Sequence, residues 1–222
     1  MIICGIDDAG RGPVIGPLVI AGISINDTDL PKLIDLGVKD SKLLSSHRRE
    51  VLASKIKELV SNWHFIALSP YEIDKVVESK RKLHKLNRLE AHTMAKVITF
   101  LKPDIVYVDA SDILAKRFGY HIAEKLSFKI KIISEHKADQ KYPIVSAASI
   151  LAKVERDKEI SLLKEIHGEI GCGYPHDPNT IKYLEKCIEE FGFYPDFVRK
   201  SWKTSKRIKN ELEKTGNQQK IL

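Results

Sequence analysis

The sequence predicts an α/β fold, a mixed sheet flanked by helices. Three observations predict it. Five short apolar segments read as strands, and helical segments alternate with the later ones. The first two strands follow one another directly, which favours an antiparallel pair. The later strands are joined through helices, as parallel strands usually are.

Ile2 to Ile6 and Pro17 to Ile25 read as buried strands. Ser46 to Val60 is helical, because Leu52, Ile56, Leu59 and Val60 recur on one face. Trp63 to Leu68 is the third strand. Ser69-Pro70-Tyr71-Glu72 then has the form of a capping box with proline at the first helical position. Leu86 to Leu101 is a second long helix. Ile105 to Val108 is a β-branched strand that ends in Asp109. Asp112 to Leu126 is helical with an interruption near Gly119, and Phe128 to Ile133 is the fifth strand. A long helix runs from Pro143 to about His167, another from Asp177 to Phe191, and the basic end adds a last one.

The chain has 222 residues, 43% hydrophobic and 30% charged, which suits one domain with a real core and a small appendage. The longest apolar run, Val14 to Ile23, contains Pro17 and is far short of a membrane span. No signal peptide is expected. Cys4, Cys172 and Cys187 show no C-x-x-C spacing, so a reducing cytoplasm is expected rather than a disulfide scaffold or zinc site. Residues 199–222 hold eight Lys or Arg against two Glu, a net of +6, and the rest of the chain holds +1. That arm, mostly Arg199, Lys200, Lys203, Lys206, Arg207 and Lys209, suits a polyphosphate backbone. A solvated surface helix is the alternative, and the cluster of Lys80, Arg81, Lys82, Lys85 and Arg88 shares the ambiguity.

Chemistry concentrates in Gly5-Ile6-Asp7-Asp8-Ala9-Gly10-Arg11-Gly12-Pro13. Neighbouring side chains on a strand point to opposite faces. Both carboxylates can serve one site only where the chain leaves the sheet. Glycines let backbone amides approach a ligand, and Arg11 carries a charge suited to phosphate. Asp109 closes a strand as Asp7 does, and Asp139 lies shortly before the helix at Pro143. If Asp7 and Asp109 end neighbouring strands, Asp7, Asp8, Asp109 and Asp139 converge. Such a cluster is costly without cations, and hard oxygen ligands select Mg²⁺ or Mn²⁺. Two such ions about 4 Å apart would clamp a phosphodiester. Taken singly, each Asp also reads as a cap or turn residue.

The chain resembles ribonuclease HII, the type 2 ribonucleases H, and the archaeal members in particular. The matching segments are Gly5 to Pro13, Val38-Lys39-Asp40-Ser41-Lys42, Leu86-Asn87 with Glu90, and Val108-Asp109. His136-Lys137-Ala138-Asp139, Tyr142-Pro143 to Ile150-Leu151-Ala152-Lys153, Gly173-Tyr174-Pro175, Asp177-Pro178, and Arg199 with Ser201-Trp202 follow in order. The resemblance implies a ribonuclease H-like fold with a five-stranded mixed sheet. Residues 1–170 would form the catalytic domain and 171–222 a C-terminal helical, substrate-binding region. It implies cleavage of the RNA strand of RNA–DNA hybrids, and cuts on the 5′ side of ribonucleotides embedded in DNA. Asp7, Asp8, Asp109 and Asp139 match the metal carboxylates. Gly10-Arg11-Gly12 matches the turn whose backbone reads the 2′-hydroxyl, and Tyr174 the aromatic that stacks under the sugar on the DNA side. Lys42 joins the substrate contacts. The family usually has Glu at the place of Asp8, often Ser at His176, and often a small residue at Gln140.

Three other readings compete. A ribonuclease HIII would carry an extra N-terminal domain, and here the motif starts at residue 7. A non-catalytic binding module would have lost a carboxylate, and a metal-dependent phosphatase would not need a basic arm. The expected partners are nucleic acids, with the protein a monomer away from membranes. Gln218 and Ile221 carry part of a sliding-clamp docking pattern, but Leu222 stands where an aromatic belongs, so clamp docking is not expected.

Overall fold

A computed structural model of the chain describes residues 1–38, 44–80, 83 and 85–219. Among these the sheet has five strands: β1 (Ile2–Ala9), β2 (Leu18–Asn26), β3 (Asn62–Leu68), β4 (Ile105–Asp109) and β5 (Lys131–Glu135). Their order is β3-β2-β1-β4-β5. β1 runs antiparallel to β2, from Ile2 opposite Asn26 to Ala9 opposite Val19. It runs parallel to β4, and β4 parallel to β5. The expected mixed sheet is therefore present, antiparallel between its first two strands and parallel among β1, β4 and β5.

The helices are α1 (Leu30–Asp35), α2 (Ser46–Leu59), α3 (Pro70–Val77), α4 (Lys85–Leu101), α5 (Ala115–Ala123), α6 (Ala138–Lys141), α7 (Pro143–His167), α8 (Pro178–Phe191) and α9 (Lys203–Gln219). The capping box forms at α3: the Glu72 amide donates to Ser69 Oγ, and the Ser69 amide to Glu72. Three expectations shift. β1 continues past Ile6 through both aspartates, because β2 keeps pairing with it there. β5 starts at Lys131 rather than Phe128, where β4 begins to offer it a partner at Ile105. α5 starts only at Ala115, because the Asp112 carboxylate takes the Leu114 amide at 3.0 Å and holds a turn in front of the helix. It then runs unbroken through Gly119, which faces β5. α1 and α6, each under two turns, carry too little periodicity to be read from sequence.

The chain forms two compact units, and each draws on separated stretches. The first comprises residues 1–9, 19–67 and 82–155 and contains the sheet. Its core joins Ile3 of β1, Val19, Ala21, Ile23 and Ile25 of β2, Ile56 of α2, and Ile144, Ala148 and Leu151 of α7. Burying each large aliphatic side chain stabilises by about 1.5–3 kcal/mol. Gly5 lets α7 lie close: a Cβ there would run into the backbone carbonyl of Ile144. The second unit comprises residues 10–18, 68–81 and 156–222. It packs Val14 and Ile15 against Ile160, Ile170, Leu184, Ile188, Val198 and Ile208. No described helix is long and apolar enough to cross a membrane.

Candidate active site

In the first unit the register decides which carboxylates meet. The β1–β4 ladder ends with Ile6 beside Val108, so Asp7 and Asp109 are the next neighbours on the same face. Asp139 joins them from α6. One carboxylate oxygen from each of Asp7, Asp109 and Asp139 lies within 4.8 Å of the others. α6 is aimed by Lys137, whose φ of +56° is left-handed and sparsely populated for a residue with a Cβ. This bend presents the Ala138 amide to Asp109 Oδ1 at 3.1 Å. His136 braces the same bend from the other side. Its ring nitrogens stand 3.3 Å from the Ala110 carbonyl and 3.1 Å from that of Ile113.

Asp8 is not among the three. Its carboxylate accepts a hydrogen bond from Ser111 Oγ at 3.1 Å, and its charge acts on Asp7 ahead of that of Asp109. Of the four carboxylates the sequence expects together, Asp7, Asp109 and Asp139 meet within 4.8 Å, and Asp8 stands beside Asp7 as its neighbour in β1.

Asp7 is 6% exposed. Burial, and then the negative charges of Asp8 and Asp109, push its carboxyl well above the usual carboxylate range. The Ser149 hydroxyl of α7 and the Asp8 amide, at 2.7 Å, oppose this by hydrogen-bonding the charged form. Three clustered carboxylates, one of them forced toward its neutral form, fit a divalent cation of hard character. The cation would neutralise the charge that burial makes costly. Ser149 carried no sequence signal, since a serine inside a helix is ordinary.

The glycine turn and Tyr174 meet in the second unit. Gly10 has φ +87°, and a Cβ there would stand 2.6 Å from the Pro17 carbonyl oxygen, so only glycine fits. Gly12 is exposed, and a Cβ on it would stand 3.7 Å from Tyr174 Cε1. The Gly173 carbonyl accepts the amides of Val14 and Ile15 at 2.8 and 3.2 Å, which ties the Tyr174 loop to the turn. The Arg156 guanidinium lies over the Tyr174 ring at 5.0 Å, and His176 flanks it at 5.4 Å. Lys42 lies outside the described residues.

The arm departs from its expectation at one position. Arg199 is fully buried and donates to backbone carbonyls of the glycine turn, so it is no surface phosphate contact. Trp202 anchors the same turn through Nε1 to the Gly12 carbonyl, 3.3 Å. Lys206 pairs with Glu78, Arg207 with Glu211, and Lys209 with Glu213, all near the surface. Exposed pairs of this kind are weak.

Known structures share this architecture. The ribonuclease H2 of Pyrococcus horikoshii OT3 is 43% identical with a TM-score of 0.89, covering 96% of this chain and 100% of that one. The ribonuclease HII in the PCNA:RNase HII complex of Archaeoglobus fulgidus is 42% identical with a TM-score of 0.83, covering 93% and 96%. Fold and site together define a ribonuclease H, an endoribonuclease and hydrolase. The model of the family Ribonuclease HII matches residues 4–205. Ribonuclease HII of Thermococcus sibiricus is 53% identical over 220 residues, 98% of this chain and 96% of the relative. The chain belongs to the ribonuclease HII family.

Proposed function

We propose that this protein hydrolyses the RNA strand of RNA–DNA hybrids and cuts on the 5′ side of ribonucleotides embedded in duplex DNA, leaving 3′-hydroxyl and 5′-phosphate ends. The observation that carries the reading is the triad formed by Asp7 of β1, Asp109 at the end of the neighbouring parallel strand β4, and Asp139 of α6. Asp7, Asp109 and Asp139 would hold two divalent ions, Mg²⁺ or Mn²⁺, with Asp8 as the fourth acidic residue. Ions held there would activate water and stabilise the leaving oxygen.

The remaining roles would fall to residues that meet the substrate. The Arg11 and Gly12 amides would face the ribose 2′-hydroxyl, the one group that separates RNA from DNA at a single position. Tyr174 would stack on the adjacent deoxyribose, and Lys42 and the exposed lysines of α9 would meet phosphates. In this scheme residues 1–170 are the catalytic part and 171–222 hold the substrate. The work suits the cytoplasm and the replication and repair of DNA, with the protein a monomer. The Archaeoglobus fulgidus relative was solved together with PCNA. For this chain we propose no clamp docking by the C-terminus, since Leu222 replaces the first aromatic of the docking pattern.

A duplex carrying one ribonucleotide, incubated with Mg²⁺ or with Mn²⁺, tests the reading. The expected result is one cut, 5′ of the ribonucleotide. Cleavage of the all-DNA duplex at a similar rate would overturn it. Co-elution with a sliding clamp would overturn the statement about docking.

A further inference from the structure

Arg199 is the largest fully buried side chain of the described residues. Its Nη2 donates to the Gly10 carbonyl at 2.6 Å and to the Gly16 carbonyl at 3.0 Å. Nη1 donates to the Arg11 carbonyl at 3.0 Å, and Nε to the Gly16 carbonyl at 3.1 Å. Trp202 Nε1 takes the next carbonyl, that of Gly12. Three successive carbonyls, of residues 10, 11 and 12, are therefore held by the segment 199–202.

A trans peptide points its N–H opposite to its C=O, and the described residues contain no cis peptide. Fixing the Gly10 carbonyl on Arg199 turns the Arg11 amide the other way, and fixing the Arg11 carbonyl does the same for the Gly12 amide. The third peptide leads into Pro13 and has no N–H to offer. The result is a pair of adjacent donors aimed away from Arg199, and no more than a pair. The guanidinium charge on the carbonyls also polarises these peptides, which strengthens their N–H groups as donors.

Arg199 is itself locked in place. Its amide donates to the Val14 carbonyl at 2.8 Å, and its carbonyl accepts Ser205 Oγ at 2.7 Å. The buried Asp74 carboxylate accepts the amides of Lys200 and Ser201 at 2.7 and 3.1 Å, together with the Ser201 hydroxyl.

We propose that Arg199 is a specificity-determining positioning residue: it aims the Arg11 and Gly12 amides that distinguish a ribose from a deoxyribose, without touching substrate itself. This rests on the ribonucleotide reading above. Lysine in its place keeps the charge but loses the planar fork that reaches three carbonyls at once.

The test compares wild type, Arg199→Lys and Trp202→Phe on two duplexes. One carries a single ribonucleotide, the other a single 2′-fluoro-2′-deoxynucleotide, whose fluorine is a poor acceptor for an amide. Wild type is measured first; absence of any preference for the ribose would bring down the underlying reading. Given that preference, Arg199→Lys should lower kcat on the ribonucleotide by about tenfold to a hundredfold, the scale of loss from a misplaced contact. The rate on the 2′-fluoro duplex, the affinity for all-DNA duplex and the slope of affinity against salt should stay within about twofold, because a buried guanidinium releases no counterion. Equal losses on both duplexes, a changed salt slope, or an unchanged preference would each overturn the proposal. Should the lysine variant fail to fold, Trp202→Phe decides. It shrinks the ring over which the Arg199 guanidinium lies, 4.9 Å from its centroid, so the guanidinium loosens on the Gly10 and Arg11 carbonyls and the ribose preference should fall with the melting temperature retained. An undiminished preference there refutes the aiming role.

Discussion

Asp8 and Asp109 behave differently although both are strand-end aspartates in an acidic neighbourhood. Asp109 is a member of the triad, and its replacement by Asn removes one negative ligand while relieving repulsion on Asp7. Asp109→Asn should abolish cleavage and leave the metal-free melting temperature equal or higher. Near-normal cleavage in saturating Mg²⁺ would contradict that role. Asp8 accepts the Ser111 hydroxyl and adds its charge to that on Asp7. Asp8→Glu lengthens the arm by about 1.5 Å and should keep or raise activity, since Glu is the usual residue of the family at this place. A lower rate with both Mg²⁺ and Mn²⁺ would show that the site is built around the shorter side chain. Sequence alone identified all of these aspartates, because carboxylates after apolar strands are conspicuous. It carried no measure of how closely they approach, since that depends on the pairing of β1 with β4 and on the bend before α6.

At the level of elements, α8 and α9 carry checkable charges. Asp177 caps α8. Its carboxylate accepts the amides of Cys172 and Asn179 and the hydroxyl of Thr180. The Cys172 amide first, and then its other partners, hold the carboxyl down to about 2, against an ordinary 3.8. Because the folded value is depressed, the stabilisation is present above about pH 4 and is lost as pH falls toward 2. Asp177→Ala should cost about 1 kcal/mol at neutral pH, and its deficit in melting temperature should shrink as the pH is lowered through that window. A deficit independent of pH would point to packing instead. In α9, Ile208 is buried in the core of the second unit and Ser205 holds the Arg199 carbonyl. Removing the helix would therefore damage more than charge. Lys203→Ala, Lys206→Ala and Arg207→Ala together leave those contacts in place. If all three residues touch phosphates, the slope of log affinity against log salt should shrink by about 3 units. An unchanged slope would mean these charges only face solvent. The long helices were legible because they repeat an apolar face over several turns; α7 was read at its observed ends, Pro143 and His167. Arg199 was legible as a cation but not as a buried one. The carbonyls that hold it come from residues 10, 11 and 16, and no local pattern links them.

At the level of the whole molecule, ion binding should appear as stability. A ligand that binds only the folded chain raises its stability by about 2.7 kcal/mol at a hundred times Kd. Mn²⁺ should therefore raise the melting temperature of the wild type, and the rise should largely vanish in Asp109→Asn. An equal rise in both proteins would place the ions elsewhere. The division into compact units was not legible, because each is assembled from stretches separated by most of the chain. A linear reading follows composition along the sequence and has no view of which distant stretches pack together.

The Arg199 to Gly10 contact spans 189 positions. During synthesis, Asp7, Asp109 and Asp139 have all been made before residue 140, whereas Arg199 is added some sixty residues after Asp139. A nascent chain can thus complete its acidic triad before it owns the part that orients the Arg11 and Gly12 amides. On the Arg199 proposal, catalytic capacity precedes discrimination on the ribosome, and the growing polypeptide becomes a selective nuclease only once Arg199 has been added and has reached the glycine turn.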